Sequence, residues 1–369
     1  MIALLTTALS NRIKSEQNRD EHSFFRLSNP EDCKALEILL HDQPNCVVLD
    51  EIHSQLKDLI KLENPTVSLS DLDYQEKISF KLNGRSLTEF GVWIYYPWKD
   101  TLVHLLDEED FVRVRTIRNA YKITPEEQAE LRKKKIGVVG MSVGQSAVMA
   151  LAMERIGGEL RIADFDSLEL SNMNRVRAGV HELGILKGEI VRREIAEIDP
   201  FLKVVFYDNG ITNETIDDFL QGNGGLDLLV EECDSSDVKI KLRKQCAKLG
   251  IPVVMDTSDR SILDVERFDL DREYPILHGL VSKELLELDE FTDEQKREVL
   301  FQCIDLSKVS EQGKFSLGEI GKTITTWPQL ATDVIFGGAI VAMAARMILL
   351  NQGIKSSRTY VDVPSIISK

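Results

Sequence analysis

The sequence predicts an α/β fold: a Rossmann-like, doubly wound, mainly parallel sheet, preceded by a smaller α+β N-terminal domain. Three observations predict it. Beyond residue 116 short apolar runs alternate with stretches of helical spacing, the first of those runs closes on glycine just before a helix, and residues 1–115 lack this rhythm. The domain boundaries that follow are 1–115 and 116–369.

The chain has 369 residues, 43% of them hydrophobic, with 45 Lys+Arg against 61 Asp+Glu for a formal charge of −16. At roughly 100 to 200 residues per domain this suits two domains with ordinary packed cores. So acidic a chain is not expected to bind nucleic acid or an anionic membrane, because both need basic surface to meet phosphate. Any phosphate ligand must be met by local positive groups. The five cysteines (Cys33, Cys46, Cys233, Cys246, Cys303) form no CxxC pair and are odd in number. Neither a disulfide framework nor a cysteine zinc site is indicated, and a cytoplasmic location is expected. The apolar start, Met1 to Leu9, is short and lacks a basic leader, so it does not read as a secretory signal. The late apolar run from Val334 meets Arg346 before the roughly 20 residues that a membrane helix requires.

Residues 1 to about 70 have helical spacing without clear faces. Residues 78–96 read as strands around an Asn83-Gly84 turn, a pair that tolerates positive φ in a tight hairpin. The aromatic run Trp93-Ile94-Tyr95-Tyr96 reads as a buried strand edge. Next come a strand over 135–140, a helix over 143–156, a strand over 160–163, a helix over 187–198 stopped by Pro200, strands over 204–207 and 226–230, a helix over 238–249 and a strand over 252–255. In such a sheet ligands sit beyond the carboxyl ends of the strands, so the loops after Val139, Ala163 and Val230 should open onto one rim. Residues 262–268 read as extended, 293–303 as an acidic helix, and the segment up to Thr326 as a polar loop. One long helix is expected over 328–350, with Pro328 in its first turn, Gly353 as terminator, and Gly337-Gly338 small enough to admit another backbone.

Three stretches carry chemistry. The turn Gly140-Met141-Ser142-Val143-Gly144 would let main-chain N–H groups approach a phosphate at a helix N-terminus. It departs from the G-x-G-x-x-G dinucleotide pattern, with Ser142 and Gln145 where the second and third glycines belong, so a plain turn without ligand fits equally well. Asp164-Phe165-Asp166 ends the next strand, where an acid can accept a ribose hydroxyl, and Asn172, Arg175 and Lys187 follow it. Those amide and cationic groups suit a triphosphate better than a nicotinamide, although each alone also suits an ordinary surface. Asp234 follows the later strand, where a carboxylate can hold Mg2+ against phosphate oxygens or cap the next helix.

This ordered set resembles the ThiF/MoeB-type adenylyltransferases, the superfamily that includes the ubiquitin-activating enzymes, over residues 115 to 350. The resemblance implies that Asp164 binds the ATP ribose, that Asn172, Arg175 and Lys187 contact the nucleotide phosphates, and that Asp234 serves the metal. Gly140, Ser142, Gly144 and Asp166 complete the implied nucleotide site. It also implies an arginine from just before the first strand, often across a dimer interface, which Arg118 matches best and Arg115 next. More narrowly, the leader around Ile117-Arg118-Asn119 and the Gly-Met-Ser-Val-Gly loop resemble a bacterial branch in which a ThiF-like domain is joined to a nitroreductase-like module. That module is not recognisable in the sequence, which suits a shortened chain or a stand-alone relative.

The implied activity is ATP- and Mg2+-dependent adenylation of a carboxylate, the C-terminus of a small ubiquitin-like or sulfur-carrier protein or of a peptide, by a homodimer. The CxxC pairs that hold zinc in many members are missing, so no zinc is expected. No thioester-forming cysteine is assigned: Cys303 lies in the right region but reads as a buried helix thiol, and Cys246 as core. The rival readings are an NAD(P)-dependent oxidoreductase and a non-catalytic nucleotide-binding scaffold.

Overall fold

The computed structural model describes residues 21–257, 259–288, 290–304 and 306–368. The apolar start, Met1 to Leu9, lies outside them. The chain divides into two compact units, Met1–Ala120 and Tyr121–Lys369.

The first unit holds a four-stranded sheet in the order β1-β3-β4-β2 (β1 Ser23–Phe25, β2 Val47–Asp50, β3 Val92–Tyr96, β4 Thr101–Leu105) and helices α1 (Pro30–Asp42), α2 (Ile52–Glu63), α3 (Asp71–Leu82) and α4 (Glu108–Arg115). Two expectations are corrected here. Residues 71–82 are a helix, because Ser70 and Asp73 close a capping box at its start, and Asn83 is its left-handed C-cap rather than a hairpin corner. The aromatic strand β3 is interior, paired on both sides and buried at all five residues.

The second unit is the doubly wound domain. Its helices, among the described residues, are α5 (Pro125–Leu131), α6 (Gly144–Glu154), α7 (Lys187–Ile198), α8 (Ile216–Gln221), α9 (Ser236–Leu249), α10 (Lys283–Leu286), α11 (Asp293–Cys303), α12 (Glu311–Glu319), α13 (Ala331–Leu349) and α14 (Val363–Ile367). Its seven strands are β5 (Lys135–Val139), β6 (Glu159–Ala163), β7 (Lys203–Tyr207), β8 (Leu228–Glu231), β9 (Val253–Thr257), β10 (Ile262–Glu266) and β11 (Ser357–Tyr360). They lie in the order β11-β10-β9-β8-β5-β6-β7. The pairs β9–β8, β8–β5, β5–β6 and β6–β7 are parallel; the pairs β10–β9 and β10–β11 are antiparallel. Strand order reverses between β5 and β8, the switch point beside which sheets of this kind bind their ligands, beyond the carboxyl ends.

One face of the sheet is covered by Val148, Leu151 and Ala152 of α6, Val191 and Ile195 of α7, and Val341, Ala345 and Ile348 of α13. The other is covered by Phe219 and Leu220 of α8 and Leu242 and Cys246 of α9. Helix α13 begins at Ala331, so Pro328 lies ahead of it, and α12 occupies part of the stretch expected to be loop. Arg346 does not break the run: the 19-residue helix is apolar enough to cross a membrane by length and composition. It is instead laid against α6. A Cβ on Gly338 would stand 2.5 Å from the Ser146 side chain and 2.6 to 2.7 Å from α6 backbone atoms.

Candidate active site

Three loops meet at the switch point. Gly140 ends β5 with φ of +89°, and a side chain there would lie 2.7 Å from the carbonyl oxygen of Glu232. Glycine is thus required both for the left-handed backbone and for the contact between the β5 and β8 loops. The Met141 N–H then donates to Asp164 Oδ2 at 2.6 Å, while Asp164 Oδ1 accepts from the Asp166 N–H at 2.7 Å. Burial pushes the Asp164 carboxyl upward, opposed by these two donors and by Lys187. Each oxygen keeps a second lone pair, so Asp164 is oriented by the main chain and can still accept from a ligand hydroxyl.

Lys187 opens α7, is 6% exposed, and places Nζ 2.9 Å from Asp166 Oδ2. The loop between β6 and α7 carries the remaining polar groups. The buried Asn172 accepts the Glu169 N–H through Oδ1 at 3.0 Å. Arg175 donates through Nη1 to the Ser171 carbonyl at 3.3 Å and to Asn174 Oδ1 at 3.0 Å, while its buried Nε has no hydrogen-bond partner among the described residues. Burial lowers the pKa of Arg175, opposed by the charge of the exposed Asp234 carboxylate. The Ser142 hydroxyl is likewise buried and unpartnered among the described residues. A buried guanidinium N–H and a buried hydroxyl left unpaired are costly unless a ligand completes them, and phosphate oxygens have the chemistry to do so.

The β8 end is held by buried ion pairs. Glu231 is fully buried; burial alone would raise its pKa, but Lys239 and Arg243 hold it down at about 2. Arg243 spans Glu231 and Glu266 at 2.5 Å each. Beyond that strand stand Glu232 to Asp234. Among the described residues no group of three or more His, Cys, Asp or Glu side chains is placed to hold a metal ion. A lone Asp234 carboxylate fits Mg2+ only where phosphate and water supply the other ligands. Cys246 is core, as expected, and Cys303 is a half-buried thiol at the end of α11, raised in pKa by burial.

The structure therefore brings Gly140, Ser142, Asp164, Asp166 and Lys187 together around the β5 and β6 ends, with Arg175 on the loop between β6 and α7. Gly144 starts α6, its Cα packed so that a side chain would meet Val138. Arg118 lies in the first unit, exposed on a single 3-10 turn, Ile117–Asn119.

Two features escape sequence reasoning. Gln145 is 2% exposed, and its amide brackets the main chain of Arg177: Nε2 donates to the Arg177 carbonyl at 2.8 Å, and Oε1 accepts the Arg177 N–H at 2.7 Å. A long polar side chain in the first turn of an apolar helix was the available signal. The second is a buried acid pair, in which Glu232 Oε1 accepts the Asp256 N–H at 2.9 Å. Asp256 is 5% exposed, and burial, with the charges of Asp264 and Asp333, outweighs the main-chain N–H of Thr257 and pushes its pKa up to about 8.

A doubly wound sheet with an acid, a lysine and an arginine in the loops around its switch point is the arrangement expected of the ThiF/MoeB superfamily. The model of the ThiF family matches residues 115–326, more than half of the chain, and the chain belongs to that family. It is 42% identical over 284 residues to the uncharacterized protein MT1398 of Mycobacterium tuberculosis (strain CDC 1551 / Oshkosh), covering 77% of this chain and 39% of that one. It is 30% identical over 155 residues to the tRNA threonylcarbamoyladenosine dehydratase of Bacillus subtilis (strain 168), covering 42% of this chain and 60% of the relative. The chain thus spans less than two thirds of the length of either. Among solved structures, the E. coli tRNA N6-threonylcarbamoyladenosine dehydratase TcdA in complex with ATP is similar at 18% identity and a TM-score of 0.47, over 65% of this chain and 95% of that one. E. coli MccB with AMPCPP and MccA is similar at 15% identity and a TM-score of 0.45, over 84% and 88%.

Proposed function

We propose that this chain binds ATP at the β5–β8 switch point and adenylates a carboxylate, the C-terminus of a small ubiquitin-like or sulfur-carrier protein or of a peptide. The observation that carries the reading is the buried, unpaired Nε of Arg175, on the loop that Gln145 ties to the helix following the Gly140 turn. Asp164, held by two main-chain N–H groups, would take the ribose. Arg175 and Lys187 would meet the phosphates, with Ser142 offering a further donor. The substrate carboxylate attacks the α-phosphorus, the bond to the bridging oxygen breaks, and pyrophosphate leaves with the electron pair. Such a transfer needs alignment of the nucleophile and positive charge around the developing transition state more than covalent help. Asp234 would hold Mg2+, which when bound neutralises phosphate charge. Arg118, supplied within a homodimer in the cytoplasm, completes the proposal.

Membership of the ThiF family supports the kind of chemistry, and the Bacillus relative is by name a dehydratase of threonylcarbamoyladenosine in tRNA. The test is nucleotide titration followed by carboxylate-dependent pyrophosphate exchange with peptides ending in a free carboxylate. ATP should bind in preference to NADH, and Arg175→Ala or Asp234→Ala should abolish exchange with the fold intact. Wild-type exchange in either variant, or selective NADH binding, defeats the reading.

A further inference from the structure

We infer that Gln145 is a positioning residue for Arg175, and not a degenerate glycine of the phosphate loop. The inference rests on the ATP site proposed above and adds to it a specific part made by this sequence. Gln145 lies in the first turn of α6, directly after the Gly140–Gly144 turn, and reaches the other phosphate-facing loop through its amide. A primary amide is the neutral side-chain group that can donate to a carbonyl and accept from the N–H of one residue at once, and both bonds to Arg177 are made. The Arg177 guanidinium pairs in turn with Glu194 of α7, whose carboxylate also lies 3.4 Å from Gln145 Nε2.

The residues between the clamp and Arg175 leave little play. Val176 is buried against Leu168 and Ile190, and its N–H donates to the Asn172 carbonyl at 2.9 Å. The Arg175 N–H donates to the same carbonyl at 3.1 Å. On the far side, Asn174 Nδ2 donates to the Gln329 carbonyl at 2.7 Å. Arg175 is therefore carried on a short segment fixed at Asn172, Asn174, Val176 and Arg177. The Gln145 side chain fastens this segment to the start of α6, where the glycine turn ends. Glycine at 145 would leave the Arg177 N–H and carbonyl to find other partners and would free the arginine to swing, at an entropic cost when phosphate binds.

The test compares ATP with adenosine on the wild-type chain, Gln145→Gly and Gln145→Glu, with thermal midpoints taken alongside. Gln145→Gly recreates the glycine of the dinucleotide pattern; Gln145→Glu keeps the shape but loses the donor and sets a second carboxylate beside Glu194. Both variants should bind ATP about tenfold or more weakly, the loss of a buried hydrogen-bonded clamp, while adenosine affinity stays within about twofold; the midpoint should fall by a few degrees yet stay above the titration temperature, so that folded protein is titrated. Amide hydrogen exchange at residues 175–177 should speed up in both. Equal or tighter ATP binding by Gln145→Gly overturns the inference and leaves the nucleotide reading standing. Equal loss of ATP and adenosine also overturns it, because a collapsed domain does not discriminate phosphate. A wild-type chain that binds neither ligand removes the nucleotide reading, and the inference falls with it.

Discussion

Lys187 is fastened to Asp166 twice: its Nζ lies 2.9 Å from Oδ2, and its main-chain N–H donates to the Asp166 carbonyl at 2.8 Å. The lysine thereby enters its helix already aimed at the β6 end. In Lys187→Ala the main-chain tie survives and the Asp166 charge is left uncompensated where phosphates would lie. ATP affinity should fall by about tenfold or more, and Lys187→Ala with Asp166→Ala should recover part of that loss; isothermal titration of both variants measures it.

Asp164 organises the glycine turn from below. Asp164→Asn leaves one oxygen for two N–H donors and sets an amide donor against one of them. Nucleotide affinity should drop about tenfold, and the Met141 amide should exchange faster with solvent, both readable in one hydrogen-exchange series with and without ATP.

The contact between α13 and α6 depends on the missing side chain of Gly338. Gly338→Ala places a methyl group 2.6 to 2.7 Å from α6 backbone atoms, which cannot rotate away. Overpacking should outweigh the gain in helix propensity and cost net about 2 kcal/mol, measured as a lower urea midpoint.

Asp256 gives the domain a pH signature. With its carboxyl pushed up to about 8 in the fold against 3.8 for the free group, the folded chain holds a proton that the unfolded chain has released. This contribution to stability is greatest below about pH 4 and declines as pH rises to about 8, a loss of a few kcal/mol. Asp256→Asn removes the ionisation, so it should raise the denaturation midpoint at pH 8 much more than at pH 5. A pH-independent difference between the two proteins contradicts the assignment.

How much of this was legible in the sequence depends on how local the signal is. Strands β5 and β6 and helix α7 are written as apolar runs and helical spacing between glycine and proline stops, and they fall within a residue or two of their expected bounds. The acids and cations of the rim were legible because each follows such a strand. Helix α3 was not, because Ile78, Phe80 and Leu82 happen to alternate like a strand, whereas only Ile78 is buried. Strand β11 and helix α8 are short and gain their stability from neighbours distant in sequence. Gln145 and Asp256 were illegible for a related reason: a replaced glycine and a buried acid acquire meaning only from what the fold sets against them.

The family match ends at residue 326, yet Gly338 of α13 lies against the backbone of the helix that the Gly140–Gly144 turn enters. An expression boundary drawn at the end of the match would strip the wall from behind that helix and bare Val148, Leu151 and Ala152 to water. Whoever shortens this domain for crystallisation should keep the chain through at least Leu349, or the loss of a distant tail will masquerade as a defect in catalysis.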